Sequence, residues 1–158
     1  MAEFRHEITV AAPLERVWGR FQDVLAFLPA LSPPGEELKI LSAAPLPPRV
    51  GTRIEMTLRG PLGRVAWVAE YVELVPPHAT ITGAEARFVD VQVRGPFRSW
   101  VHSHEFEAVD DHTTRCVDCI VYTPPLGPLG WVGDVLVVRP AVRKMFAYRA
   151  AKLREAFE

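Results

Sequence analysis

Two histidines that fall on the inward side of an extended segment carry the most chemistry in this chain. Along RSWVHSHEFEA, from Arg98 to Ala108, side chains alternate if the segment is a strand, because consecutive residues then point to opposite faces. Trp100, His102, His104 and Phe106 share one side, while Ser99, Ser103, Glu105 and Glu107 share the other. The aromatic residues mark the first side as the interior, and two imidazoles go inward with them. A buried imidazole needs a hydrogen-bond partner. The segment therefore either puts a polar patch into a core or lines a cavity with one.

The neighbouring segments supply partners. Pairing the strand that starts at Thr113 so that Ala108 faces Thr114 sets Phe106 opposite Cys116, His104 opposite Asp118, His102 opposite Ile120 and Trp100 opposite Tyr122. On the other side, a register with Arg94 opposite Arg98 sets Asp90 opposite His102 and Gln92 opposite Trp100. Cross-strand neighbours lie ~5 Å apart at Cβ, so Asp90, His102, His104 and Asp118 form one inward patch with Gln92 nearby. Three readings of that patch stay open. The groups satisfy one another and fix the sheet register; or they form the polar end of a ligand cavity, orienting a hydroxyl or carbonyl of an otherwise apolar molecule; or an Asp–His pair works as an acid–base couple, the carboxylate fixing the tautomer of the imidazole. The catalytic candidates are then His102, His104, Asp90 and Asp118. Histidines two apart on a strand could also share a metal ion with carboxylates, but nothing else in the sequence has metal-ligand spacing, and the chain is read as holding no metal and no cofactor.

Other features are weaker. Cys116 and Cys119 have the spacing of a redox or zinc pair, yet on a strand residues three apart point to opposite faces with Cα atoms ~10 Å apart, too far for a disulfide. They are read as two unrelated core thiols. No serine or cysteine shows a nucleophile signature and no glycine-rich phosphate loop is present. Trp18, Trp67, Trp131, Phe88, Met56 and Tyr71 read as core, or as cavity wall if the fold is hollow. Near the C-terminus, Arg139, Arg143 and Arg154 belong to a solvated face, whereas Arg149 falls near the Phe146 and Leu153 face and could reach a carboxylate.

The elements that position these residues follow from periodicity. Phe4 to Val10 alternates as a first strand. Val17, Trp18, Phe21, Val24, Leu25 and Leu28 recur at helical spacing, which predicts one helix over Pro13 to Leu28 or two short ones broken near Asp23. Strands are expected over Leu38 to Ala43, Gly51 to Arg59 and Arg64 to Leu74. In the last two, Arg59 opposite Arg64 sets Met56 against Trp67, Leu58 against Val65 and Arg53 against Glu70, closing a four-residue loop Gly60-Pro61-Leu62-Gly63. Val75-Pro76-Pro77-His78 should then turn the chain into a strand ending near Arg94, followed by strands over Phe97 to Ala108 and Thr113 to Thr123. Proline clusters are expected to end elements, since proline lacks a backbone donor. Val142, Phe146, Arg149, Leu153 and Phe157 recur at helical spacing in the last stretch, with Pro140 as an early position or a kink. The order is strand, helices, about six strands in a meander, and a long helix.

The 158 residues fit one domain, residues 1–158, with a core that needs no staples. Hydrophobic residues at 49% and charged residues at 23% are ordinary globular proportions, which argues against disorder. A net charge of −1 gives no support for nucleic-acid binding or an anionic membrane surface. No apolar run reaches the ~20 residues of a membrane span, and the N-terminus lacks the layout of a signal peptide. A cytoplasmic protein is the expectation. The oligomeric state is not legible.

That element order, with FVDVQVRGPFRSWVHSHEF from Phe88 to Phe106, AAPLERVW from Ala11 to Trp18, PLGPLG from Pro125 to Gly130 and MFAYRAAKL from Met145 to Leu153, resembles bacterial members of the START-like or SRPBCC superfamily. These helix-grip domains include pollen-allergen-like proteins, polyketide cyclases and coenzyme Q-binding proteins. The resemblance covers nearly the whole chain and implies an α+β fold in which a curved antiparallel sheet of about seven strands grips a long C-terminal helix around an apolar cavity, with short helices after the first strand. The fold serves transport, sensing and catalysis alike. The expected partner is a small hydrophobic or aromatic molecule, lipid-, quinone- or polyketide-like, with Met56, Trp67, Phe88, Trp100, Phe106, Tyr122 and Phe146 as walls and Asp90, Gln92, His102, His104 and Asp118 at its polar end. The alternative is a polyketide aromatase/cyclase-type enzyme in which His102 or His104 moves protons for aldol closure and dehydration. A scaffold without ligand is the third class.

Overall fold

The computed structural model describes residues 1–60 and 63–158. Period-two alternation produces seven strands: β1 (Ala2–Val10), β2 (Lys39–Ala44), β3 (Arg53–Gly60), β4 (Gly63–Thr80), β5 (Gly83–Arg94), β6 (Ser99–Asp110) and β7 (Thr113–Thr123). They form one antiparallel sheet in the order β1-β7-β6-β5-β4-β3-β2. The meander thus extends from β2 to β7, and the N-terminal strand closes onto β7 with Ala2 opposite Tyr122 and Val10 opposite Thr114. The curved sheet and its long terminal helix are the helix-grip arrangement that the sequence implied.

Register is set where both faces of a strand have something to satisfy. On the β3–β4 pair, Met56 lies opposite Trp67 and Leu58 opposite Val65, while on the outer side Arg53 Nε donates to Glu70 Oε2 at 2.6 Å. The ladder continues to Gly60 opposite Gly63, one pair beyond Arg59–Arg64; the central residues of the expected loop, Pro61 and Leu62, lie outside the described residues. The β6–β7 register is the expected one throughout, from Trp100 opposite Tyr122 to Ala108 opposite Thr114.

Two expectations for the middle of the sheet are corrected. Pro76 and Pro77 do not turn the chain: β4 runs through them to Thr80, and the turn comes at Ile81 and Thr82. The β4–β5 ladder is irregular between Val75 and His78, so both prolines pass where no ladder donor is required. Further shifts at Val68/Ala69 and Tyr71/Glu73 bend the same strand pair, and bulges of this kind increase local twist and curl a sheet. The second correction concerns β5 and β6. Asp90 does lie opposite His102, but the ladder stops at Val91–Val101, and Gln92–Trp100 and Arg94–Arg98 are not partners. The Gln92 side chain instead clamps the connecting loop, donating to the Phe97 carbonyl at 2.8 Å and accepting from the Phe97 N–H at 3.2 Å.

The helical segment after β1 is broken as expected. α1 (Leu14–Gln22) and α2 (Val24–Ala30) meet at Asp23, whose backbone is non-helical. Pro13 stands just before α1, where its missing donor is harmless. At the other end the chain is helical from α3 (Gly127–Gly133) through a π-helical stretch, Asp134–Val138, into α4 (Arg139–Phe157). α4 buries Val142, Phe146, Leu153 and Phe157 of the stripe its periodicity predicted, with Ala150 buried beside a half-buried Arg149, while Arg139, Arg143 and Arg154 are exposed. Among the described residues no helix is long and apolar enough to cross a membrane.

Asp134, which sequence reasoning passed over, holds this helix to the sheet. Its carboxylate is fully buried, accepts from the Tyr122 hydroxyl at 2.5 Å and from Arg139 Nε at 2.7 Å. The Tyr122 phenol is raised to about 12, by desolvation first and then by the Asp134 carboxylate it bonds.

The two thiols also need a correction. Cys116 is buried, but Cys119 is only half-buried on the other face, with Sγ 3.9 Å from Glu3 Oε1, so only one of them is a core residue; both are free. Burial, helped by the Asp118 charge, pushes the Cys116 thiol up to about 12, which leaves it inert.

Replacing Asp134 by Ala should lower the unfolding free energy by about 1–3 kcal/mol, because the Tyr122 hydroxyl loses its buried acceptor while Arg139 can rehydrate. Tyr122→Phe should cost less. Urea denaturation of both variants checks the order; equal effects would remove Asp134 from its place as the pin.

Candidate functional site

The concave face of the sheet, α2 and the C-terminal helical run enclose a cavity of about 320 Å³. Its walls are mostly apolar: Phe27 and Leu31 from α2, Ile54, Met56 and Leu58 from β3, Trp67 and Ala69 from β4, Phe88 from β5, Trp100 from β6, and Val142 and Met145 from α4. The wall turns polar where β5 and β6 meet. There Asp90, His102 and His104 face the cavity, with the Tyr71 ring stacked on Phe88 beside them, and Arg149 reaches in from α4.

The residues singled out from sequence separate into two groups. Met56, Trp67, Phe88, Asp90, Trp100, His102 and His104 line the cavity, whereas Gln92, Phe106, Asp118, Tyr122 and Phe146 are not among its lining residues. Gln92 and Tyr122 are committed to the loop clamp and to the Asp134 pin. Phe106 lies behind, edge-on to Trp18 at 6.0 Å between ring centroids, and Phe146 packs on Phe4 at 5.0 Å. Asp118 sits under the histidines as their partner.

The polar patch is a short buried network. His102 Nε2 donates to Asp118 Oδ1 at 3.0 Å, and His104 Nε2 donates to Asp90 Oδ2 at 3.2 Å. His104 Nδ1 is also 2.9 Å from Asp118 Oδ1, a close electrostatic contact too far off axis to be a hydrogen bond. The histidines are 7% and 8% exposed, and their rings lie 3.8 Å apart between centroids, tilted by 36°. The register explains the crossed pairing: Asp90 faces His102 across the strands but reaches diagonally to His104, and Asp118 reaches both. The face of His104 lies on Phe88 at 4.0 Å, nearly parallel.

This arrangement separates two imidazoles that start alike. Burial disfavours charge on both. For His104 the two carboxylates outweigh burial and its pKa is raised, while for His102 burial together with the neighbouring His104 charge wins and its pKa is lowered. Burial would raise Asp118 too, but its bond to His102 and its close contact with His104 hold it well below the usual carboxylate range. The site therefore sets side by side one imidazole that takes a proton more readily and one that takes it less readily than a free imidazole. Donation from Nε2 to Asp118 fixes the neutral ring of His102 as the Nε2–H tautomer and leaves Nδ1 with the basic lone pair.

Ligand atoms of Asp90, His102 and His104 all lie within 4.8 Å of one another, a grouping that could hold a metal ion, although both histidines already spend Nε2 on carboxylates. Of the charged lining residues, Glu36 was missed and Arg149 misjudged from sequence. Glu36, in the stretch between α2 and β2, had no periodic signal because it lies between elements; burial raises its pKa against the nearby charges of Lys144 and Arg149. Arg149 was expected to reach a carboxylate, but among the described residues it makes no ion pair.

The family model for polyketide cyclase / dehydrase and lipid transport matches residues 1–158. The chain belongs to that family. Solved structures agree on the fold. An aromatase/cyclase from Streptomyces sp. R1128 is similar at 16% identity, with 98% of this chain and 92% of that chain covered and a TM-score of 0.67. A START superfamily protein from Mycobacterium smegmatis is 12% identical over 98% of this chain and 96% of its own, with a TM-score of 0.69. Norcoclaurine synthase from Thalictrum flavum, in complex with dopamine and hydroxybenzaldehyde, is 16% identical over 98% and 85%, with a TM-score of 0.62. At such identities the likeness speaks for the fold alone. No curated protein matches the chain.

The raised pKa of His104 has a defined sign in stability. Its contribution is complete below the ordinary imidazole value and is lost as pH rises through the raised one. His104→Gln should therefore cost about 3 kcal/mol near pH 6, where it strips two buried carboxylates of their cation, and distinctly less near pH 9. Denaturant melts of both proteins at the two pH values check this; a cost that does not shrink with pH would mean His104 is not charged in the fold.

Proposed function

We propose that this family member binds one small, largely apolar molecule with aromatic or ring character in the cavity between sheet and C-terminal helix, its polar end against His102, His104 and Asp90. The observation that carries the reading is a hollow of about 320 Å³ with mostly apolar, aromatic-rich walls and a polar edge of Asp90, His102 and His104. That size lies at the lower end of small-molecule pockets, ~300–1,000 Å³, and fits a ring system better than a long chain. The family description, lipid transport and polyketide chemistry, and a structural neighbour that holds dopamine and hydroxybenzaldehyde support the same class of ligand.

A second reading is favoured by the divergent histidines. Two adjacent titratable groups whose surroundings push their pKa values apart make an acid and a base at one pH. With a poly-carbonyl compound in the cavity, His102 Nδ1 takes a proton from the carbon between two carbonyls, the resulting enolate carbon bonds to a second carbonyl carbon, and the alkoxide formed there is protonated from His104. Loss of water then follows. Asp90 and Asp118 act through the imidazoles and touch no substrate in this scheme.

The binding reading is tested with a neutral, environment-sensitive naphthylamine dye and by native mass spectrometry of freshly purified protein. We expect saturable fluorescence enhancement that weakens about tenfold in Ala141→Phe, which fills the cavity from α4, with the fold retained. A dye signal that does not saturate, or that ignores Ala141→Phe, would sink it. Turnover of a model poly-ketone lost in both His102→Gln and His104→Gln, with dye binding kept, would establish the second reading.

A further inference from the structure

Among the described residues, Arg149 is a charged group of the cavity wall that no hydrogen bond or ion pair answers. It lies three residues after Phe146 on α4, with the guanidinium carbon 5.3 Å from the Phe146 ring centroid, and it lines the cavity together with His102, His104 and Asp90. The residue is half-buried overall, yet its Nε is out of solvent and has no hydrogen-bond partner. Among the described residues the guanidinium makes no hydrogen bond and no ion pair. Asp90 and Asp118, whose charges reach it through space, each turn one oxygen, Oδ2 and Oδ1 respectively, to the histidines and form no ion pair with it. Glu36 lines the same cavity and does not close on it either.

A guanidinium stays charged under any condition the fold survives. Leaving one without partners inside an apolar wall is destabilising, and a hydrocarbon side chain of similar length would serve the fold better. The planar fork is suited to one kind of visitor, a pair of oxygens in one plane, and the Phe146 ring beside it holds its orientation. We propose that Arg149 anchors a carboxylate, and that the molecule taken up is an aryl or polycyclic carboxylic acid whose apolar body lies against Trp67 and Met56. This rests on the cavity-binding reading and narrows it to a charge class.

The test is calorimetric titration of the intact protein with naphthoate, its methyl ester and methylnaphthalene. The wild type should bind the carboxylate about tenfold or more tighter than the ester, as a charge-assisted contact allows. Arg149→Met should erase that preference and leave ester and hydrocarbon affinities within about twofold, while its melting temperature stays equal or rises because an unanswered charge has left the interior. Arg149→Lys, a point charge without the fork, should keep part of the preference. A preference that survives in Arg149→Met, equal affinity of acid and ester in the wild type, or a fall in the Arg149→Met melting temperature would each overturn the assignment. If the neutral compounds bind and the acid gains nothing, only the charge class fails. If none of the three binds, the cavity reading fails with it.

Discussion

The Asp118 carboxylate is the constraint on which the interior is built. A buried carboxylate without compensation is not tolerated, and this one is answered by two imidazoles from the next strand. Those imidazoles can face it only if β6 and β7 pair in one register, and Asp90 can complete the set only if β5 pairs with β6 in one register. A slip by a single residue would turn the whole patch to the outer face and bring Glu105 and Ser103 inside. The polar network and the hydrophobic alternation therefore specify the same pairing, and each guards the other against error.

Around that fixed centre the hollow is made by two unrelated devices. Ladder irregularities along β4 and β5 curl the sheet, and the buried Asp134 contact sets where the C-terminal helix crosses it. One shapes the floor and the other the roof. The aromatic residues of β4 to β6 lie on the floor, and Val142 and Met145 of α4 face them across the space between.

Legibility from sequence followed the physics that was local. Alternation alone located His102 and His104, and complementary neighbours on both faces located the β3–β4 and β6–β7 registers, because β3–β4 pairs without a break and β6–β7 does so from Ser99 to Ala108. What could not be read depended on departures from regularity. Pro76 and Pro77 look like a terminator until the sheet supplies a place where no donor is needed. Gln92 looks like an inward polar residue until the ladder ends one step early and its amide finds the Phe97 backbone. Tyr122 was rightly placed inward but its partner, Asp134, sits in a stretch with no strand or simple helical period to expose it. Among the proposed site residues, Met56, Trp67, Phe88, Asp90, Trp100, His102 and His104 reach the cavity, and Gln92, Phe106, Asp118, Tyr122 and Phe146 serve the frame.

The π-helical turn that carries Asp134 has a further effect on what the helix presents downstream. Such a turn holds one residue more than an α-turn, so every later side chain is rotated by about 100° relative to an uninterrupted α-helix. The azimuth of Arg149 is therefore dictated some distance upstream of it, by the length of Asp134–Val138. Gain or loss of one residue in that short segment re-aims the guanidinium between cavity and solvent without altering a single strand, a route by which domains with the same sheet can diverge in the polarity of what they hold.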